Sequence, residues 1–418
     1  MMAKQVFAGA TSTSYENAAQ ALAELAELPV SSKQVRRVCK TIGGERVAER
    51  DAAVKKYQQM PLMERKKAPE GVTAPDVAVV GVDGGRLQIF ERQTASGEAI
   101  EEEIQDDVPM PEPAEVKRKP SHWREDKIGL LMVMKSEVSA VDPCPEVPES
   151  FVNPSWIPEL AKELNHRGPA QRDRPGEASA ASILPEAAGE SSKWKPPEVQ
   201  SKQLVATRRR WEQFGPMVAE RAWSLGFYGS PRKAFLGDGA ETNWTLWKQS
   251  FSSFEPILDF IHALTYVYHA ALAGRPFAEG WSIYKRWIGR VWVGELEVVI
   301  AELARRQVEL GQPPADAKST SPSAVVGRAL GYLQRNKDRM RYAEYRRQGL
   351  PIVSSYVESA VKQFNYRVKG TEKFWREEGA EEMLQLRADY LCDDASMPAF
   401  WKRRQARESG QARYANAV

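Results

Sequence analysis

The chain has 418 residues, of which 42% are hydrophobic and 28% are charged, and its formal net charge is only +3. This composition is typical of a folded protein with roughly two to three domains and argues against a largely disordered chain, while three scattered cysteines without a CxxC pair argue against a disulfide framework or a structural zinc site. The longest uncharged apolar run, 260–274, is shorter than the roughly 20 residues of a membrane helix and no secretory signal is visible, so a cytoplasmic protein without a membrane partner is expected.

Two helices joined by a tight turn are predicted at the N-terminus. Thr13 with Glu16 and Ser31 with Gln34 form capping boxes that each begin a helix, and Gly43 is predicted to end the second one. Four basic residues of the second helix are spaced so that they share one face: Lys33, Arg36, Arg37 and Lys40. This pattern is typical of a helix-turn-helix that binds DNA, but an amphipathic hairpin with a solvated charged face explains it equally well.

The next segment predicts the first strands of a sheet. Residues 77–82 are continuously apolar and end in an Asp-Gly-Gly tripeptide at 83–85, after which residues 86–91 alternate between apolar and polar side chains. This pattern predicts a buried strand, a tight turn and a second strand. The apolar run 128–134 predicts a third strand of the same sheet.

Further along the chain, short strands and helices alternate before a long helical stretch. The predicted elements are a helix at 211–225, a strand at 233–236 before Asp238, a strand at 256–258 before Asp259, a helix at 260–272, helices throughout 276–349 and a helix that carries Glu358. The order β-β-β-α-β-α-β, followed by a helical insertion and a last helix, is that of an RNase H-like fold. The predicted fold class is therefore α/β, with a mixed sheet and an all-helical insertion before the last acidic residue.

This organisation divides the chain into six segments. Fourteen of the 27 prolines lie between residues 109 and 197, which opposes regular structure there. The expected segments are a helix-turn-helix-like segment at 1–70, the first part of the core at 71–140, a Pro-rich mobile linker or insertion at 141–202, the second part of the core at 203–275, the helical insertion at 276–349, and the last core helix with a basic C-terminal region at 350–418.

Three acidic residues, Asp83, Asp238 and Glu358, follow from this arrangement as candidates for metal binding. The first two end apolar strands, and the ends of strands in an open α/β sheet are where sites assemble. Carboxylate oxygens are the hard ligands that Mg²⁺ prefers, and two such ions are a common device for cleaving phosphodiesters. His262 lies three residues after Asp259, so both are expected at the edge of the same site.

Each of these residues also has a purely structural explanation. An Asp-Gly pair at 83 is typical of a hairpin turn, and Asp238 fits a turn in the same way. Glu358 fits a capping box with Ser355 and a favourable helical pair with Lys362. Asp259 fits a helix N-cap beside a satisfied His262. Only the combination of these residues, in this order on these elements, favours a functional site.

Four blocks of sequence carry a family resemblance. They lie at 78–86, 235–241, 257–263 and 349–359, with further matches at 339–342, 367–375 and 384–389. These blocks resemble the IS-Kra branch of bacterial insertion-sequence transposases, which are relatives of the Mutator-like DDE transposases. The resemblance runs from about Tyr15 to about Trp401.

The resemblance implies a specific chemistry and specific partners. Asp83, Asp238 and Glu358 match the DDE triad, which holds two Mg²⁺ or Mn²⁺ ions for strand cleavage at transposon ends and strand transfer into target DNA. Asp259 and His262 match the Asp-x-x-His element of Mutator-like enzymes. A homo-oligomer assembled on DNA is expected, associated with the nucleoid when bound. Beside the basic face of the N-terminal helix, the expected phosphate contacts are Arg341, Lys362, Arg367 and Lys369.

One departure and two alternatives accompany this hypothesis. Members of the family often carry more N-terminal sequence, including cysteine pairs, and its lack here predicts weaker recognition of transposon ends. A non-catalytic DNA-binding relic would fit such a chain. An actin-like sugar kinase is a further alternative, because the Asp-Gly-Gly segment at 83–85 resembles a phosphate-cradling turn between two strands, although no second glycine-rich loop is visible.

Overall fold

The computed structural model describes residues 1–89, 122–165, 194–312, 318–370 and 373–408. Six strands form one mixed sheet: β1 Val77–Ile89, β2 His122–Lys135, β3 Glu198–Thr207, β4 Arg232–Gly237, β5 Glu255–Leu258 and β6 Phe374–Trp375. The helices are α1 Met2–Thr11, α2 Tyr15–Ala26, α3 Ser32–Gln59, α4 Leu62–Arg65, α5 Trp156–Asn165, α6 Trp211–Ser224, α7 Glu241–Ser250, α8 Phe260–Leu272, α9 Phe277–Trp292, α10 Leu296–Leu310, α11 Pro322–Asn336, α12 Tyr342–Arg347, α13 Ser355–Val368, α14 Glu377–Leu391 and α15 Ser396–Glu408. The predicted α/β class with a mixed sheet is confirmed.

The strands of the sheet follow the order β3-β2-β1-β4-β5, and β6 pairs with the far end of β1. β2 pairs antiparallel with both β1 and β3, whereas β4 runs parallel to β1 and β5 runs parallel to β4. Parallel neighbours need a crossover connection, and α7 provides the one between β4 and β5. The carboxyl ends of β4 and β5 therefore meet at the same edge of the sheet.

Helices cover both faces of the central strand. The α6 side chain of Val218 lies over Gly129 of β2, where a Cβ would meet it at 2.9 Å. On the opposite face, Val357 of α13 lies over Gly81 of β1, where a Cβ would be 2.4 Å away. Residues 77–80 of β1 are fully buried between these layers. The continuous apolar run of β1 is what a strand covered on both faces requires.

β1 is one continuous strand, so the prediction of a tight turn at 83–85 was wrong. Every residue from Val77 to Ile89 has a partner on β2. Gly84 and Gly85 lack the positive φ that a type I′ turn would require. Gly85 instead leaves room for a side chain of β2, since a Cβ there would lie 2.8 Å from both carboxyl oxygens of Asp126. Residues 90 and 91 of the predicted second strand lie outside the described residues.

The segment 141–202, for which a Pro-rich mobile linker or insertion is predicted, contains α5 and the start of β3. Residues 166–193 lie outside the described part of the chain. Pro158 occupies the first turn of α5, where it costs no intrahelical hydrogen bond. The predicted third strand at 128–134 is confirmed within β2, and the third antiparallel strand is β3. In chain order the elements of this part are β1, β2, α5, β3, α6, β4, α7 and β5, so α5 is an addition to the predicted order.

The N-terminal helices α1, α2 and α3 all contact one another. Ser31 caps α3 as predicted, with its Oγ accepting a hydrogen bond from N of Gln34 at 3.2 Å. However, α3 does not end at Gly43 but continues to residue 59. Gly43 lets Glu382 of α14 approach closely, because a Cβ at Gly43 would lie 2.7 Å from the Cβ of Glu382. Ion pairs from Arg46 to Asp389 continue this contact along α14.

Residues 276–349 contain α9 to α12 and one short 3-10 turn among the described residues, as the predicted helical insertion requires. Arg346 of α12, whose guanidinium is buried, pairs with Asp142 after β2 and lies 3.9 Å from the ring centroid of Trp292 at the end of α9. Within the described ranges, no helix has the length and apolar character needed to cross a membrane.

Candidate active site

Asp83 lies on β1, and Asp238 directly follows β4, the parallel neighbour of β1. β1 and β4 are last paired at Gly81 and Leu236, and each aspartate lies two residues further along its chain. Neighbouring strands are about 4.8 Å apart, so both residues follow the paired parts of adjacent strands at the same edge of the sheet. The Asp83 carboxylate accepts a hydrogen bond from N of Gly84 at 2.7 Å.

Asp238 is held by its own turn and by the helical insertion. Its Oδ1 accepts hydrogen bonds from N of Ala240 at 2.9 Å and from Nδ2 of Asn243 at 2.8 Å. Its backbone carbonyl accepts one from the Tyr332 hydroxyl of α11 at 2.7 Å. The intervening Gly239 has a φ of +95°, and a Cβ there would lie 2.6 Å from the Tyr332 ring, so glycine is required for conformation and for space. The insertion therefore contacts the turn that carries Asp238.

Glu358 lies in the first turn of α13 and is only 5% exposed. The preceding residue, Val357, makes the close contact with Gly81. Gly81 and Asp83 project to the same face of β1, because side chains alternate along a strand. The close approach at Gly81 thus brings Glu358 onto the sheet face that carries Asp83.

Asp259 connects three parts of the site and is fully buried. Its Oδ2 caps α8 through N of His262 at 3.3 Å and lies 2.6 Å from Nδ1 of the same histidine. Its Oδ1 accepts a hydrogen bond from N of Ser354 at 2.9 Å, immediately before α13. Asp259 is therefore the predicted helix cap, and it also orients His262 and fixes the start of the helix that carries Glu358.

His262 is 21% exposed and is surrounded by acidic groups. Burial alone would lower its pKa, but the hydrogen bond to Asp259 and the negative charges of Asp259, Asp238 and Glu358 raise the pKa to about 9. The imidazole is therefore protonated at neutral pH in the absence of another cation. This electrostatic influence also places Asp238 and Glu358 in the same neighbourhood as His262.

Three of these residues satisfy the spacing of a metal site. One ligand atom from each of Asp259, His262 and Glu358 lies within 4.8 Å of the others, whereas Asp83 and Asp238 lie outside this group. Both oxygens of Asp259 already accept hydrogen bonds, so we assign it a positioning role. Carboxylate oxygens are the donors that a hard divalent cation prefers, and Glu358 is the member of the predicted triad that belongs to the group with this spacing among the described residues.

Asp126 is a further acidic residue that the sequence analysis missed. It lies on β2 opposite Gly85, is fully buried, and neither of its carboxyl oxygens has a hydrogen-bond partner among the described residues. Burial, together with the negative charges of Asp83 and Glu125, raises the pKa of Asp126 to about 7. Asp126 lies two residues before the apolar run 128–134, so the predicted strand did not include it. A strand beginning two residues earlier would have included it.

The predicted DNA contacts differ in their accessibility. The basic face of α3 is exposed at all four predicted positions: Lys33, Arg36, Arg37 and Lys40. Arg341 is also largely exposed and pairs with Glu255 at 2.5 Å. Lys362 and Lys369 are half-buried, and the Lys369 ammonium lies 5.6 Å from the ring centroid of Trp123.

Arg367 requires a correction, because it is only 2% exposed and so does not present its charge to DNA. Its Nε donates a hydrogen bond to the carbonyl of Gly9 at 2.8 Å. Its guanidinium lies 4.5 Å from the ring centroid of Tyr15 and 5.1 Å from that of Trp375. Arg367 therefore joins the N-terminal helices to α13, which a charge pattern in the sequence does not distinguish from a surface contact.

No family model and no curated protein matches the chain. The arrangement of the side chains around Asp83, Asp238 and Glu358 is therefore the basis for a functional proposal.

Proposed function

We propose that this chain is a DDE-type DNA transposase built on an RNase H-like fold. The proposal rests on the placement of Asp83 on β1, of Asp238 directly after the parallel strand β4, and of Glu358 on α13, the helix that packs on β1 at Gly81. The strand order β3-β2-β1-β4-β5, antiparallel and then parallel, supports the RNase H-like assignment. The family resemblance of the same residues gives the substrate, DNA at transposon ends and at a target.

In this proposal Asp83, Asp238 and Glu358 hold one or two Mg²⁺ or Mn²⁺ ions. When bound, such ions neutralise charge on the phosphodiester and act as Lewis acids. The contribution of the protein is to keep the three carboxylates in place before DNA arrives, because positioning alone supplies a large part of catalysis in phosphoryl transfer. The hydrogen bonds around Asp238 and the packing of Val357 on Gly81 perform this task.

His262 has a separate role in the proposal. Its Nδ1 is bonded to Asp259, which leaves Nε2 as the ring nitrogen for a phosphate oxygen of the scissile strand. As the imidazolium, it would donate that hydrogen bond with a positive charge, and charge-assisted hydrogen bonds are roughly twice as strong as neutral ones. His262 would therefore bind and orient the strand near the carboxylates.

DNA affinity would come mainly from exposed basic side chains. Arg341 and the basic face of α3 are the accessible candidates among the predicted contacts. Contacts of this kind bind phosphates, so they supply salt-dependent affinity without sequence recognition. A homo-oligomer on DNA is part of the proposal, as is the helical insertion acting as a support for the turn at Asp238.

The test is a cleavage assay with the full chain and a labelled duplex that carries the ends of its own element. We expect nicking or end joining that requires Mg²⁺ or Mn²⁺. It should fall at least about 100-fold in Asp83→Asn, Asp238→Asn and Glu358→Gln, the size of effect typical for losing a charge-stabilising group. Glu241→Gln, which removes an exposed carboxylate from the first turn of nearby α7, is the matched control and should retain activity.

Other outcomes would change the assignment. DNA binding without cleavage under either metal would favour a non-catalytic relic. Absence of both would reject the transposase and call for a nucleotide-binding assay, as the kinase alternative requires. That alternative has lost its main support, because residues 83–85 form the middle of a continuous strand instead of a phosphate-cradling turn.

A further inference from the structure

Asp126 presents an electrostatic problem that the proposed triad does not solve. Its side chain is fully buried, and both carboxyl oxygens lack a hydrogen-bond partner among the described residues. A buried carboxylate without partners is among the most costly groups in a protein interior, and buried charges in native proteins are paired or coordinate a metal. Either a proton or a bound cation is therefore expected to neutralise it.

The register of the sheet places Asp126 on the same face as Asp83. Asp126 is paired with Gly85, and Asp83 is paired with Ile128, so the two aspartates are diagonal neighbours on an antiparallel pair of strands. Diagonal neighbours on one face are about 7–8 Å apart, which is within the combined reach of two carboxylates and one ion. The absence of a side chain at Gly85 gives the Asp126 carboxylate its room there.

The adjacent cation of β2, Lys127, does not pair with Asp126. Lys127 follows Asp126 directly, so its side chain projects to the opposite face of the strand. There its ammonium pairs with Glu125 at 3.3 Å and lies 5.5 Å from the ring centroid of Trp211 on α6. The face that holds Asp83 and Asp126 is therefore separated from this lysine by the sheet itself.

We propose that Asp126 and Asp83 together bind a hard divalent cation, at a position distinct from the group formed by Asp259, His262 and Glu358. Asp126 is then a fourth carboxylate of the proposed active site, beside Asp83, Asp238 and Glu358. The catalytic role of this cation rests on the proposed function. The binding of the cation itself does not depend on DNA cleavage.

The experiment measures Mn²⁺ binding to the full chain by electron paramagnetic resonance, without DNA. We expect Asp126→Asn to weaken one bound Mn²⁺ at least 10-fold, as loss of one ligand or its support commonly does. Glu125→Gln is the matched control, because it removes the same charge one residue away on the other face. Thermal unfolding of Asp126→Asn in chelator should occur at or above the wild-type temperature, which distinguishes a lost ligand from a misfolded chain.

The outcomes separate this inference from the proposed function. If Asp126→Asn binds Mn²⁺ with wild-type affinity and stoichiometry, the cation position is refuted, even if the wild-type chain cleaves DNA. If the wild-type chain binds Mn²⁺ through Asp126 but never cleaves DNA, the cation position stands and the transposase proposal fails. A wild-type chain that binds no Mn²⁺ would overturn the cation position directly.

Discussion

The contact between Asp259 and His262 gives a prediction whose size can be worked out from the structure. Asp259→Asn keeps an oxygen that can accept the hydrogen bond from N of Ser354, but it removes the charge that faces the imidazole. In the wild-type chain the pKa of His262 is raised from 6.5 to about 9, with Asp259 supplying the largest favourable contribution. At about 1.4 kcal/mol per pKa unit, this corresponds to about 3 kcal/mol of folding free energy.

The pH range follows from the direction of the change. The folded protein holds the imidazole proton more tightly than the unfolded chain does, so the contribution to stability is fully present below about pH 6.5. It is lost as the pH rises through about 9. We therefore expect Asp259→Asn to lower the free energy of unfolding more at pH 6 than at pH 10, with a difference of up to about 3 kcal/mol, because Asp238 and Glu358 still face the imidazole in the variant.

Chemical denaturation in the presence of a chelator measures this difference, because no bound cation then competes with the proton. Glu241→Gln is again a suitable control, since it removes an exposed carboxylate and should change the free energy of unfolding by less than about 0.5 kcal/mol at either pH. An equal loss for Asp259→Asn at pH 6 and pH 10 would refute the electrostatic account. It would mean that Asp259 stabilises the chain only as a helix cap.

Three further predictions concern packing and DNA contacts. Gly81→Ala should destabilise the chain by about 1–3 kcal/mol in denaturant titrations and reduce cleavage, because its Cβ would overlap Val357. Adding Val357→Ala should recover part of both losses. Gly289→Ala is the control and should be tolerated, because a Cβ there has open space around it. Arg367→Ala should lower the unfolding temperature without changing the salt dependence of DNA binding, which is the slope of the logarithm of the binding constant against the logarithm of salt concentration measured by fluorescence anisotropy. A smaller slope in this variant would show that Arg367 contacts DNA. Neutralising Lys33 and Lys40 on the exposed face of α3 should reduce that slope by about 2. An unchanged slope would exclude this face as a DNA contact.

Local sequence pattern predicted most of the helices and strands near the site. The helix at Phe260–Leu272 was predicted with its observed bounds, since an apolar run that follows a capping aspartate contains all the information needed. The strands that precede Asp238 and Asp259 were found within one residue at each end. Because these elements position the acids, Asp238, Asp259 and His262 could be selected from the sequence.

Features that depend on long-range pairing could not be predicted in this way. The Asp-Gly-Gly tripeptide has strong local turn propensity, yet pairing with β2 over the full length of β1 overrides it. The same register places Asp126 next to Asp83, and the two strands are separated in sequence by residues 90–121. A residue paired across such a distance leaves no periodic trace in its own neighbourhood.

Burial separates the basic residues in a way that charge patterns do not. Arg367 and Lys369 are two residues apart on or just after α13, and both were expected to contact phosphates. The first is enclosed by aromatic rings and a backbone carbonyl, whereas the second remains half-buried at the surface. Arginine has a planar, weakly hydrated charge that stacks on aromatic rings, so it can be placed in such an interior when lysine cannot.

The placement of the acids explains why the site needs so much support from the rest of the fold. Asp83, Asp126, Asp238, Asp259 and Glu358 come from four separate stretches of chain, and like charges gathered in this way repel one another. Hydrogen bonds hold Asp238 and Asp259, and the contact at Gly81 holds Glu358, so their positions do not depend on a cation. Asp126 has no such bond among the described residues. Its charge is therefore neutralised by a proton or by an ion, and its substitution is the one that best tests whether an ion is there.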